Sequence, residues 1–241
     1  MLTQDLTISV AGAEMPCYLS RPAEGKHAAV IVLQEIFGVN REMRRIADLL
    51  ATSGYAALVP NLYYRTHPDL DVPYTPEGME AGSKAAAQVT RANLRADLGA
   101  TIDWLNGQDF VSFGHLGTWG FCMGGALAFY SATMPGIAAA VSFYGSAISR
   151  PLASGEPEFL TDVAEVRAPL LLVYGGKDHG IPPEAIARVE RTLREAGKRF
   201  ELQVYPEVGH AFFRQYGTEH HGVESADAWE RVQAFFRKHL H

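Results

Sequence analysis

The stretch Leu116-Gly117-Thr118-Trp119-Gly120-Phe121-Cys122-Met123-Gly124-Gly125-Ala126-Leu127-Ala128 decides the fold. An apolar run enters a Gly-x-Cys-x-Gly segment, and a helix-like run of small and apolar residues leaves it. This is the nucleophile-elbow pattern, with cysteine at the position usually held by serine. A strand there turns into a helix within about one residue, and the residue at the turn is held in a strained backbone conformation. Gly120 and Gly124 fit the two positions where any Cβ would clash as strand and helix cross. A sulfur placed in this way stands above the sheet at a helix N-terminus, whose partial positive charge favours the thiolate.

Outward from the elbow, strands and helices alternate. Residues 28–33, 55–59, 138–143 and 170–174 are continuously apolar, the mark of strands covered on both faces. Residues 116–119 make the strand before the elbow and 200–205 the last strand. Near the start, 6–10 and 15–19 alternate around Ala11-Gly12-Ala13 and read as a hairpin of two edge strands, where Pro16 is tolerated. Helices are expected after Asn40, over about 85–105, from Pro183 to a stop at Gly197, and over about 226–238. From 61 to about 80 the periodicity lapses into a Pro- and Tyr-containing stretch, as in a functional covering loop. The order implies an α/β fold with a mostly parallel sheet of about eight strands and helices on both faces. No repeat or linker divides residues 1–241, so one domain is expected.

Composition narrows the function classes. The chain is 47% hydrophobic and 20% charged, which suits a globular protein that buries a large core. A net charge of −6 without any basic run argues against nucleic acid or an anionic membrane as partner. The first ten residues lack the cationic start and apolar core of a signal peptide, and no apolar stretch approaches a membrane span. Cys17 and Cys122 are the two cysteines, and their spacing is not of zinc type. A reducing, cytoplasmic setting with both thiols free is expected.

Ligands of such sheets bind at the carboxyl ends of the strands, and three chemically suited residues fall there. Cys122 follows the elbow strand, Asp178 follows strand 170–174, and His210 follows strand 200–205. Nucleophile, acid and histidine in this chain order are what the elbow pattern calls for. His179, His115 and His220 compete for the role of base. His115 precedes the elbow strand at its amino end, and His220 lies in a polar loop. Gly209 favours His210 by allowing a sharp turn directly after a strand.

Four blocks carry a resemblance to a known family. They are Leu33-Gln34-Glu35-Ile36-Phe37-Gly38-Val39-Asn40, Gly120-Phe121-Cys122-Met123-Gly124-Gly125, Gly175-Gly176-Lys177-Asp178-His179 and Gly209-His210-Ala211-Phe212-Phe213-Arg214. Together they resemble the dienelactone hydrolases, carboxymethylenebutenolidases of the α/β-hydrolase superfamily. The resemblance implies an α/β-hydrolase fold, a Cys122–His210–Asp178 triad, no metal or organic cofactor, and a monomer. It implies hydrolysis of a small ester or lactone bearing a carboxylate. The oxyanion hole is expected from the backbone N–H groups of Met123 and Ile36. Glu35 would partner the resting thiol and shift when substrate arrives, since an ionised carboxylate beside sulfur opposes the thiolate. Arg214 stands where the family has a carboxylate-binding arginine, and Phe37, Tyr144 and Phe213 are candidate apolar pocket residues. The family's second such arginine is not matched. Its place falls near Met79, and Arg65, Lys84 and Arg91 are the nearby cations.

Two other classes remain. A thiol-based redox or peroxide-sensing role would use the same Cys122, although no second cysteine lies close in sequence to resolve a disulfide. A non-catalytic binding relative of the fold would be expected to have lost triad members, and all three residues are present. Inhibition of ester hydrolysis by a thiol-alkylating reagent separates both from the hydrolase reading.

Overall fold

A strand whose residues are apolar on both faces must sit in the middle of a sheet, and burial along this chain follows that rule. In the computed structural model, which describes residues 1–240, β3 (His27–Leu33), β4 (Ala56–Pro60), β6 (Ile137–Phe143) and β7 (Leu170–Gly175) are buried almost throughout. The second half of β5 (Val111–Phe121) is equally buried. The outer strands β1 (Leu2–Val10) and β8 (Phe200–Tyr205) expose much of their length. With β2 (Ala13–Arg21), these form one eight-stranded sheet in the order β1-β2-β4-β3-β5-β6-β7-β8. Pairing is antiparallel for β1–β2 and β2–β4 and parallel from β4 to β8. Helices cover both faces: α1 (Arg41–Thr52), α2 (Pro76–Ala86), α3 (Arg91–Asn106), α4 (Met123–Ser131), α5 (Pro183–Glu195) and α6 (Gly222–His239).

The hairpin forms as expected, but only β1 is an edge. β2 pairs with β4 on its other side, beginning at Cys17↔Pro60. Pro16 is tolerated because it lies one residue beyond that register, where only its carbonyl is used, accepting from Asn61 N–H at 2.9 Å.

The covering segment also differs from expectation. The irregular part runs from 61 to 75, and the expected helix over 85–105 is two helices broken near 87–90. α2 starts where Thr75 caps the Gly78 N–H at 3.2 Å and Pro76 takes the first helical position. Its inner face is nearly bare. A Cβ on Gly78 would meet the Pro73 carbonyl oxygen at 2.0 Å, and one on Gly82 would meet that of Ile36 at 2.4 Å. Close backbone approach, with no stripe of large apolar side chains, seats this helix, so hydrophobic periodicity does not reveal it.

Candidate active site

The elbow is built as its glycines require. β5 ends at Phe121 and α4 begins at Met123, leaving Cys122 alone between them at φ 55°, ψ −115°. A Cβ on Gly120 would lie 1.8 Å from the Gly124 carbonyl oxygen, and one on Gly124 2.1 Å from that of Leu33. Strand and helix therefore touch through backbone alone. Cys122 N–H is fixed to Phe143 O at 3.1 Å, while Met123, first in its helix, has an N–H with no acceptor inside it.

Strained backbone gathers around the same point. Among the described residues four non-glycines have positive φ, and three of them, Cys122 (55°), Tyr144 (41°) and Ala211 (61°), stand at the end of β5, at the end of β6 and in the loop that follows β8. Such conformations persist only where the surroundings hold them. The turn carrying His210 thus bends at Ala211. Gly209, expected to supply that bend, has no positive φ, and a Cβ there would find nothing nearer than 3.6 Å. The close approach falls instead at Gly175, where a Cβ would meet the Val208 and Gly209 carbonyl oxygens at 2.5 Å.

His210 Nδ1 lies 2.7 Å from Asp178 Oδ2, and Asp178 Oδ1 accepts from Gly180 N–H at 2.8 Å. An ionised carboxylate can only accept, so Nδ1 carries the proton and Nε2 is left for the sulfur side. Burial works to raise the Asp178 pKa, but the His210 hydrogen bond and charge outweigh it and hold the carboxyl below its usual range. Burial likewise disfavours a charged His210. The facing Cys122 sulfur and the Asp178 bond overcome this and push the imidazole up to about 10. Tyr144 backs the ring, with centroids 4.9 Å apart.

Glu35 is buried beside this pair, and burial pushes its carboxyl pKa up against the pull of Arg214, His210 and Tyr74. Its Oε2 lies 3.7 Å from Arg214 Nη1, too far for a hydrogen bond, and has no hydrogen-bond partner. Arg214 is held more firmly elsewhere, by Glu219 at 2.7 Å and by the face of Tyr74 at 3.8 Å. These groups open onto a cleft of about 850 Å³ whose walls include Glu35, Ile36, Phe37, Cys122, Met123 and His210.

Comparison with known proteins places this geometry. The profile of the dienelactone hydrolase family matches residues 15–240. The chain belongs to the dienelactone hydrolase family. A provisionally named carboxymethylenebutenolidase of Synechocystis is 34% identical over 238 residues, covering 98% of this chain and 96% of that protein. A protein of Bradyrhizobium, provisionally named 2-oxo-3-(5-oxofuran-2-ylidene)propanoate lactonase, is 29% identical over 97% of this chain and 93% of its own. A crystal structure from Klebsiella pneumoniae, provisionally described as a dienelactone hydrolase, superposes with a TM-score of 0.90 at 31% identity and covers 99% of both chains.

In this dienelactone hydrolase family member, several expected pocket residues are elsewhere. Tyr144 and Phe213 do not line the cleft. Tyr144 is buried behind His210, and Phe213 packs among Trp119, Phe121 and Phe143 in the core. None of the three expected cations reaches the cleft either. Arg65 is held by both Asp97 oxygens at 2.7 and 2.8 Å. Arg91 binds Asp162 and the Pro157 and Glu158 carbonyls, and Lys84 pairs with Glu80 in solvent. Beside Arg214, the cleft is lined by Lys177 and by Arg150, which sequence reasoning passed over. Its one signal was its place in a Pro- and Gly-containing stretch following a buried strand. Among the competing histidines, His115 bonds the Leu240 carbonyl at 2.7 Å and His179 lines the cleft wall, while His220 does not, its neighbour His221 lining it instead. No cluster of three or more metal-ligating residues occurs among the described residues, and none of their helices is long and apolar enough to cross a membrane.

Proposed function

We propose that Cys122, His210 and Asp178 are the triad through which this member of the family opens a carboxylic ester or lactone by way of a thioester. The observation that supports it most is the strained Cys122 at the start of α4, facing an imidazole that Asp178 orients at 2.7 Å. The thiolate attacks the carbonyl carbon, and the carbonyl π electrons move to oxygen. The Met123 and Ile36 N–H groups stabilise that oxyanion. Collapse expels the alkoxide or enolate, which takes its proton from His210, and leaves an acyl–Cys122 thioester. In a lactone the leaving oxygen stays tethered to the acyl group. Neutral His210 then takes a proton from water as the water attacks, and the tetrahedral intermediate expels the thiolate to give the carboxylic acid, which loses its proton to solvent. Iodoacetamide should abolish hydrolysis of p-nitrophenyl acetate in step with alkylation of one thiol per chain. Hydrolysis that survives full alkylation of Cys122 contradicts the reading.

The substrate is read as a small ester or lactone bearing a carboxylate. The lactonase name of the Bradyrhizobium relative, a propanoate, agrees with this, and Arg214 on the cleft wall is the group to meet that charge. Because Arg214 is already engaged by Glu219 and Tyr74, substrate binding competes with contacts in place. A monomer in the cytoplasm completes the reading.

Glu35 is read as the partner of the resting thiol. A buried carboxylate without a hydrogen-bond partner on Oε2 is loosely held, which suits a group that shifts when a substrate carboxylate engages Arg214. Two outcomes follow for Glu35→Gln. With the ionisable partner of the thiol replaced, kcat/KM near neutral pH falls about 100-fold and the acid limb of the pH profile moves. Stability changes with a definite sign. The Glu35 pKa is raised on folding, so the folded wild type gains from protonation below the unfolded value near 4.3 and loses that gain as pH rises through the folded value. The glutamine variant does not titrate there and should melt at a higher temperature than wild type at pH 8, with the difference shrinking toward pH 4. Full turnover with an unchanged pH profile removes Glu35 from the mechanism.

A further inference from the structure

Beneath the covering segment lies a small apolar cluster separate from the main core. Buried Tyr63, Ala85, Ala86 and Val89 pack there with Ile36 and Met123. Ile36 and Met123 are the two residues whose N–H groups are assigned above to the oxyanion hole. They come from unrelated elements, the turn after β3 and the first turn of α4, so something must fix their separation. Tyr63 reaches both. Its hydroxyl oxygen lies 3.3 Å from the Ile36 carbonyl oxygen and 3.5 Å from Met123 Sδ. The ring is 1% exposed, and burial pushes its pKa up, so the hydroxyl keeps its proton as a donor. The carbonyl is the stronger acceptor of the two, and the thioether adds a weak second contact. α2 packs against the same Ile36 carbonyl through Gly82.

We propose that Tyr63 is a positioning residue that sets the spacing of the two oxyanion donors, joining the covering segment to the reacting carbonyl. This rests on the oxyanion hole proposed above. Oxyanion stabilisation depends on donors preorganised where charge develops, so loosening one donor slows attack on a carbonyl. Alkylation of the same sulfur by iodoacetamide needs no such help, because the S–C bond forms as iodide leaves and no oxyanion arises. The two reactions of Cys122 therefore report separately on the donors and on the nucleophile.

The test compares them in Tyr63→Phe, which keeps the ring and removes the hydroxyl. Acylation is read as p-nitrophenolate release from p-nitrophenyl acetate, and alkylation as the rate of iodoacetamide uptake across pH. Cys17 does not compete, since burial pushes its thiol up to about 12. Both rates are referred to the folded fraction, read by circular dichroism, since unfolded chains expose and alkylate both thiols. The expected result is an acylation rate about 10-fold lower, with the alkylation rate and its pH dependence unchanged. An unchanged ratio, or a parallel fall in both rates, overturns the proposal. If Tyr63→Phe does not fold, Gly82→Ala is judged by the same two criteria, since its added carbon would displace the same carbonyl. A Cys122→Ala enzyme that still turns over would instead defeat the underlying thioester reading, whatever Tyr63 does.

Discussion

Cys122→Ala should lower kcat/KM for p-nitrophenyl acetate or a small lactone by about 10⁵-fold while leaving the fold intact. In the proposed mechanism Cys122 bears the forming bond, so removing its sulfur removes the covalent path and leaves only what the cleft does for direct attack by water. That residue of activity is not zero, because the Met123 and Ile36 N–H groups and the His210–Asp178 pair remain in place. Alanine should also be tolerated by the scaffold. Cys122 makes no side-chain cap to α4, and its strained φ of 55° is imposed by the glycines around it. A loss of activity accompanied by unfolding would not count, so melting temperature and circular dichroism are measured alongside turnover. A variant that folds and keeps more than a few per cent of its activity contradicts the assignment.

The largest effect on stability is expected at Gly120. An alanine there would place its methyl carbon 1.8 Å from the Gly124 oxygen and 2.3 Å from its carbonyl carbon, both backbone atoms at the start of α4. Neither can swing aside as a side-chain tip would. Relief requires α4 to lift from β5, which opens the packing beneath the elbow. Gly120→Ala should cost about 3 kcal/mol or more and lower the melting midpoint by about 10 °C. Gly99 supplies the contrast. It lies within α3, and a methyl carbon added there would meet nothing within 4 Å, so Gly99→Ala should stabilise by about 0.5 to 1 kcal/mol. Thermal melts of the two variants read this difference, and equal midpoints would show that the elbow is looser than its contacts indicate.

Much of the fold was legible because it rests on local pattern. Continuous apolar runs located the central strands, and Gly120 and Gly124 marked the elbow by the contact they permit. Cys122, Asp178 and His210 could be placed in one site because each directly follows a strand of the same sheet. What escaped depends on partners distant in sequence or on surfaces without side chains. Arg65 and Arg91 looked available until Asp97 and Asp162, 32 and 71 residues away, were seen to hold them. Arg150 carried no mark of its position on the cleft wall beyond its place in a Pro- and Gly-containing stretch after a buried strand. α2 packs through Gly78 and Gly82, so its helical period shows little hydrophobic contrast, and Pro76, which takes its first position, read as part of the irregular Pro- and Tyr-containing stretch. Tyr63 is one tyrosine among several in an irregular stretch, and its contact with Ile36 appears only when the covering segment folds over the turn after β3.

In the proposed reaction the acyl group passes through the sulfur of Cys122. The most direct measurement mixes the enzyme with p-nitrophenyl acetate, quenches in acid within the first turnover, where a thioester survives, and maps the peptides by mass spectrometry. The expected result is an acetyl group on the peptide carrying Cys122, absent from the peptide carrying Cys17 and lost as turnover continues. Turnover with Cys122 unmodified throughout, or acetyl transfer to another residue at the same rate as catalysis, would contradict it.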